Sequence, residues 1–305
     1  METTVRFIGL LAVFLMFAAK APAQDAKIDR LEERMVELQE RIGGGDTDAD
    51  KRAASDELAE VVRSIAKHPD AYEHPFVRAF KVNSQLSPDK AFRIFNWNVL
   101  LADGTSEYRL FLWPEGSKKL LEAHDRRELT HGDERAVFES DDWYGALYYE
   151  IHPIRSEGRT LYTLVGWDGN DGISTKKVLD VLVFDGKQDF HFGHPVFAVG
   201  DDVYVNRRIF EYSADAVMNL RWVDTEKAIV FDRLEPRVRG AENNYAFYGP
   251  GTGYSGYTMH KGKWVLHENM EMARPRNREN DARFNFPDRP DFTRKRDTIN
   301  PLIGR

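Results

Sequence analysis

The chain of 305 residues carries 43 Lys and Arg against 50 Asp and Glu, a formal charge of −7, and no cysteine. Disulfides and an anchor on a lipidated N-terminal cysteine are therefore excluded, so stability has to come from the core. The acidic balance argues against a general nucleic-acid binder, which must neutralise phosphates, and the length suffices for one large domain or two small ones.

Residues 1–23 read METTVRFIGLLAVFLMFAAKAPA: a positive charge at Arg6, an apolar run from Phe7 to Ala19, then Ala21-Pro22-Ala23. That order of charged, apolar and small residues predicts a secretory signal peptide. A run of about 13 residues is too short for a hydrocarbon core that needs roughly 20. Its removal takes away a net +1 and leaves −8 on the mature chain, in which no later stretch approaches a membrane span.

Residues 24–68 read as amphipathic helices. Within 25–42, Ile28, Leu31, Met35, Leu38 and Ile42 recur at spacings of three and four and make one apolar stripe. The stripe either folds back on the body or self-associates as a short coiled coil. Gly43-Gly44-Gly45 makes continuation costly and opens a glycine-rich linker over 43–50. A second helical pattern, with Leu58, Val61, Val62 and Ile65, stops before Pro69.

Residues 69–272 change period. FRIFNWNVLLADGTSEYRLFLW is two aromatic and β-branched runs around Ala102-Asp103-Gly104-Thr105, the composition of a hairpin. WYGALYYEIHPI turns at Ser156-Glu157-Gly158 into RTLYTLVGW, and KKVLDVLVFDG, VYVNRRIFEYS, VMNLRWV, KAIVF, GYTMH and KWVLHE follow. Short strands with turn signals roughly every ten residues predict a mainly β fold, an antiparallel meander, sandwich or barrel-like body behind the helices, with a β-propeller-like arrangement as the alternative. Residues 273–305, with four prolines and nine Lys or Arg against five Asp or Glu, read as an extended or disordered basic tail.

Chemical signals are sparse. The loop Asp168-Gly169-Asn170-Asp171-Gly172 suggests calcium, but counting Asp168 as ligand position 1 puts Gly172 at 5, Ile173 at 6 and Leu179 at 12, where an EF-hand needs an oxygen, a glycine and a glutamate. A turn is the plainer reading, with Asp168 and Asn170 kept as candidate metal ligands. Gly251, Gly253 and Gly256 match a dinucleotide fingerprint only formally, because strand and turn residues follow instead of a helix, and a flexible loop is expected. Ser255 lacks the second glycine of a nucleophile elbow. His191 and His194, three apart beside Asp189, are candidate zinc ligands if the chain bends there. Asp141 and Asp142, close to Trp143, Tyr144 and Tyr148 and joined by Trp167, are the candidate ligand-binding set, since sugar sites combine carboxylates with stacking rings. No catalytic residue and no cofactor is assigned.

The stretches YTLVGWDGNDGISTKKVLDVLVF and YSGYTMHKGKWVLHENM, followed by RPRNREND, resemble an uncharacterised family of exported proteins of Gram-negative bacteria, over about Phe92 to the C-terminus. The resemblance implies an envelope or secreted location and no assigned activity. The expectation is an exported protein, periplasmic, outer-membrane-associated or secreted and not lipidated, serving non-catalytic binding or assembly. Its partner would be an envelope protein or glycan, and the basic tail could dock on an anionic surface. An enzyme acting on glycan or peptidoglycan through Asp141, Asp142, Glu150 or Asp168, and a small-ligand carrier, are the alternatives.

Overall fold

The structure, a computed structural model, describes residues 22–126, 132–186 and 189–271. Most of the leader and the tail 273–305 lie outside the described residues. Among the described residues the fold is mainly β, with antiparallel sheets, no closed barrel and two helices near the N-terminus. Among the described residues no helix is long and apolar enough to cross a membrane.

Helices α1 (Pro22–Gly44) and α2 (Asp48–Ile65) form a hairpin. The connection is shorter than the glycine-rich stretch suggests, because the Thr47 hydroxyl accepts the Asp50 amide at 3.1 Å and starts α2, with Asp48 and Asp50 favoured in its first turn. The stripe of α1 is used inside the chain: Ile28, Met35, Leu38 and Ile42 are buried and Leu31 is partly so. They share a core with Leu58, Val62 and Ile65 of α2.

Three open sheets follow. Sheet I is the meander β1 (Asn83–Leu86), β2 (Phe92–Leu100), β3 (Ser106–Pro114) and β4 (Leu121–His124), in that order. Sheet II contains β5 (Phe138–Glu139), β6 (Leu147–Ser156), β7 (Arg159–Asp168), β8 (Ser174–Phe184) and β9 (Phe190–Phe192), ordered β5-β9-β8-β7-β6. Sheet III contains β10 (Phe197–Gly200) and β11 (Val203–Val205). After β12 (Arg208–Ser213), which pairs with β8 of sheet II, the chain returns to sheet III with β13 (Leu220–Val223), β14 (Ala228–Pro236), β15 (Tyr248–His260) and β16 (Lys263–Met270). Its order is β11-β10-β16-β15-β14-β13, and only β10 and β16 meet in parallel, at Phe197 and Trp264.

The period-2 alternation of the strands turns these sheets into a layered stack. In sheet I, Phe95, Trp97, Val99, Phe111 and Trp113 face the helices, while Phe92, Ile94, Leu110 and Leu112 face sheet II. In sheet II, Tyr162, Leu164, Val178 and Leu182 face sheet I, while Leu161, Val165, Leu179, Val181 and Val183 face sheet III. Strands β7 and β8 are thus buried on both faces, which is why they read as nearly unbroken apolar runs. Each such side chain contributes about 1.5–3 kcal/mol on burial. Polar ties cross each layer boundary, among them Trp97 Nε1 to Ser55 Oγ at 2.9 Å, the Tyr148 amide to Asn96 Oδ1 at 2.7 Å, and Trp264 Nε1 to Thr163 Oγ1 at 2.8 Å. Sheets I and III share no buried cluster among the described residues, so the layers form a stack and not the ring of a propeller.

Two local expectations are corrected. VYVNRRIFEYS is not one strand: it breaks at Asn206-Arg207, where the chain leaves sheet III for sheet II. The glycine-rich stretch from Gly249 to Gly256 is not a loop but part of β15, paired with β14. The Arg237 side chain lies over Gly249 and the Glu235 carboxylate over Gly251, where a Cβ would make them shift, and Gly253 has φ 115.

Candidate functional site

The aspartate-rich loop is the hairpin connection between β7 and β8, with Asn170 at φ 51 and Gly172 at φ 76. Asp168 is buried, and its carboxylate accepts the hydroxyls of Tyr108 at 3.2 Å and Tyr144 at 3.1 Å and the Asn170 amide at 2.9 Å. Asn170 donates to Ser174 Oγ at 2.7 Å and accepts Lys176 Nζ at 2.9 Å. Asp171 Oδ1 accepts the amides of Ile173 and Ser174, both at 3.0 Å. The loop oxygens are committed to protein donors, and a cation would have to displace the Lys176 ammonium.

Between sheets I and II runs a second buried polar chain. Trp143 Nε1 donates to the Tyr148 hydroxyl at 3.0 Å, and that hydroxyl donates to Asp180 Oδ2 at 3.1 Å. Asp180 Oδ1 lies 3.2 Å from Arg207 NH2, with both side chains fully buried. Arg207 also donates to the carbonyls of Asp133 at 3.0 Å and Ala136 at 2.9 Å, and its guanidinium lies 4.0 Å over the Phe138 ring. Burial pushes the Asp180 carboxyl above its ordinary value against the pull of Arg207, and burial likewise raises the Tyr148 phenol. Sequence reasoning missed Arg207 altogether. The usable signal was Asp180 itself, a charge in the middle of an apolar strand that demands a buried partner.

Of the candidate ligand-binding residues, Trp143, Tyr144, Tyr148 and Trp167 come together in the core cluster between sheets I and II, apart from the carboxylates of Asp141 and Asp142. Trp143 and Tyr148 bond to each other inside the stack, and Tyr144 bonds to Asp168. Trp167 is half-buried against the core between sheets I and II. Asp141 and Asp142 sit on the short turn Ser140–Asp142, where Asp141 is exposed 4.0 Å from His124 Nε2. Glu150 turns toward sheet III, its Oε2 accepting the Trp222 amide at 2.9 Å and meeting His152 Nε2 at 2.9 Å.

The two candidate zinc histidines face different carboxylates. His191, on β9, contacts Asp185 through Nδ1, and Asp185 lies 3.8 Å from Arg159. His194 follows Gly193 at φ 110, and its buried Nε2 has no hydrogen bond, with Glu157 Oε2 at 3.8 Å. Lys263 lies 3.4 Å from the same carboxylate and donates to the Pro195 carbonyl at 2.8 Å. Burial depresses the His194 pKa, outweighing Glu157. The only described set of three ligand atoms close enough for one ion belongs to Asp29, Glu32 and His74, within 4.8 Å of one another. A guanidinium already occupies it: Arg78 NH2 lies 3.2 Å from both Asp29 Oδ1 and Glu32 Oε2.

That cluster braces a surface loop. Glu32 Oε1 accepts the Arg78 amide at 2.7 Å, and seven residues along α1 Gln39 Oε1 accepts the Lys81 amide at 3.0 Å. Burial opposes the Glu32 charge, yet His74 and Arg78 together hold its carboxyl below the usual value. Phe76 is buried with φ 47, a left-handed backbone that costs a non-glycine residue about 1–3 kcal/mol. Held this way, the loop projects Val77 at 71% exposure and Phe80 at 69% into water. Comparison of the chain with protein-family models, with curated proteins and with solved structures finds no match.

Proposed function

We propose that the chain is an exported, non-catalytic binding or assembly protein of a bacterial envelope, and that a protein partner docks on the loop of residues 74–81. The observation that carries the reading is the loop itself. Two large apolar side chains are displayed on a backbone whose amides are held by the buried Glu32 and Gln39 of α1, so that little ordering entropy opposes docking. The leader-like order of residues 1–23 supports export. The internal acids Asp168, Asp180 and Glu150 each serve as acceptors for neighbouring protein groups, a structural use and not that of a reacting carboxylate.

The test is capture and cross-linking of envelope components on the mature chain beside V77S/F80S. One protein retained by the wild type and lost with the variant, at unchanged thermal stability, is the expected result. Equal retention by both would overturn the reading.

A further inference from the structure

A second surface lies at the opposite end of the layer stack. Strands β14 and β15 outrun their neighbours: β13 pairs with β14 only as far as Phe231, and β16 reaches β15 only up to Tyr254. Beyond that point Leu234, Glu235 and Pro236 pair with Pro250, Gly249 and Tyr248 as a two-stranded ribbon. Residues 237–247 close it with hydrogen bonds at every turn. The Arg237 amide donates to the Phe247 carbonyl at 2.8 Å, Ala241 to Val238 at 3.2 Å, Asn244 to Ala241 at 3.1 Å and Phe247 to Asn244 at 3.0 Å. The Asn243 amide donates to the Tyr248 hydroxyl at 3.1 Å. The tip is a shaped element.

It carries an unusual surface. Of nine exposed large hydrophobic residues among those described, Val238, Tyr245 and Phe247 fall within ten consecutive positions. Arg237 and Arg239 flank Val238, both exposed and without an ion-pair partner among the described residues, and with the exposed Glu242 they leave residues 236–247 at a net +1. The Arg237 guanidinium lies across the backbone of Gly249. The turn Tyr245–Phe247 leans on β12, and the exposed side chains left at this end of the ribbon are few, short of the roughly 1,200 Å² of buried surface of a stable protein complex. A bilayer interface, by contrast, accommodates small numbers of aromatic rings and takes up guanidinium groups at its phosphates.

We infer that residues 236–247 form a docking tip for an anionic phospholipid bilayer. Val238, Tyr245 and Phe247 enter the headgroup boundary while Arg237 and Arg239 meet lipid phosphates. The mature chain as a whole, at −8, is repelled by the same surface, so attachment is local, reversible and salt-sensitive. This surface is separate from the loop at 74–81, and either can fail alone.

The experiment is co-sedimentation of residues 24–305 with vesicles of phosphatidylglycerol and phosphatidylcholine, and with phosphatidylcholine alone, at low and high salt. Wild type is expected on the anionic vesicles only. R237Q/R239Q should bind roughly thirtyfold more weakly, Y245S/F247S at least as weakly, and V77S/F80S like wild type. In F247W the indole emission should shift to the blue on the anionic vesicles. All variants should melt like wild type. Absence of wild-type binding, undiminished binding by both tip variants, or binding abolished only by removing residues 273–305 would overturn the inference, the last assigning membrane contact to the tail.

Discussion

Arg207 and Asp180 illustrate how far one residue can be read alone. A charge at the centre of KKVLDVLVF signals a buried partner, but that partner stands 27 positions later in an Asn-Arg-Arg run with no periodic pattern. Nothing local marks it, because its role arises only where the chain changes sheets. Replacing Arg207 with Met leaves a buried carboxylate unopposed and is expected to cost about 3–5 kcal/mol, read from urea unfolding. The double variant R207M/D180N should recover part of that loss. The pH dependence of stability has a definite sign too. His194 and Glu32 both have depressed pKa values in the fold, so the unfolded chain binds their protons more tightly. The part of the stability that these two groups contribute is therefore fullest above both unfolded values, declines as pH falls below 6.5 through His194, and declines further below 4.5 through Glu32. Urea midpoints across that range should show the first decline removed in H194Q and the second retained.

At the scale of elements, periodicity reported most of what formed. The α1 stripe, the hairpins at Ala102–Thr105, Glu157-Gly158 and Lys261-Gly262, and the turn at Asp168–Gly172 all stand where spacing and turn residues put them. Positive φ at Glu157, Gly158, Lys261 and Gly262 is what two-residue hairpins demand. Periodicity failed at β15, where glycines that suggest a loop pair in register with β14 and lie under side chains such as Glu235 and Arg237, a cross-strand fact invisible in one strand. It also left open what α1 packs on, since a stripe of this width serves a partner helix or the chain's own body equally well. The structure buries it internally, with Met35 fully enclosed between α2 and sheet I. Met35→Ala should accordingly lower stability by about 2–5 kcal/mol, measured by thermal or urea unfolding, where a purely intermolecular stripe would leave the monomer's stability nearly unchanged.

For the whole molecule, the stack has consequences that no single layer has. Sheet I is sandwiched by the helices and sheet II, and sheet II by sheets I and III, so removing any outer layer strips the apolar face of the next. Unfolding of residues 24–305 is expected as one transition, with near-ultraviolet and far-ultraviolet signals coincident and the calorimetric enthalpy equal to the van't Hoff value. Two separated transitions would show that sheet III melts independently. By itself the sequence determined the β-rich class, the N-terminal helices and most hairpins, because period and turn chemistry act over a few residues. It determined as well the leader-like and basic ends, which are matters of composition. Only the tertiary structure decided that the sheets stack as open layers, that Trp143, Tyr148 and Asp168 face inward, that Arg78 fills the cluster of Asp29, Glu32 and His74, and that β14 and β15 outrun their neighbours. Those outcomes depend on which faces meet, and faces meet through contacts between residues far apart in the chain.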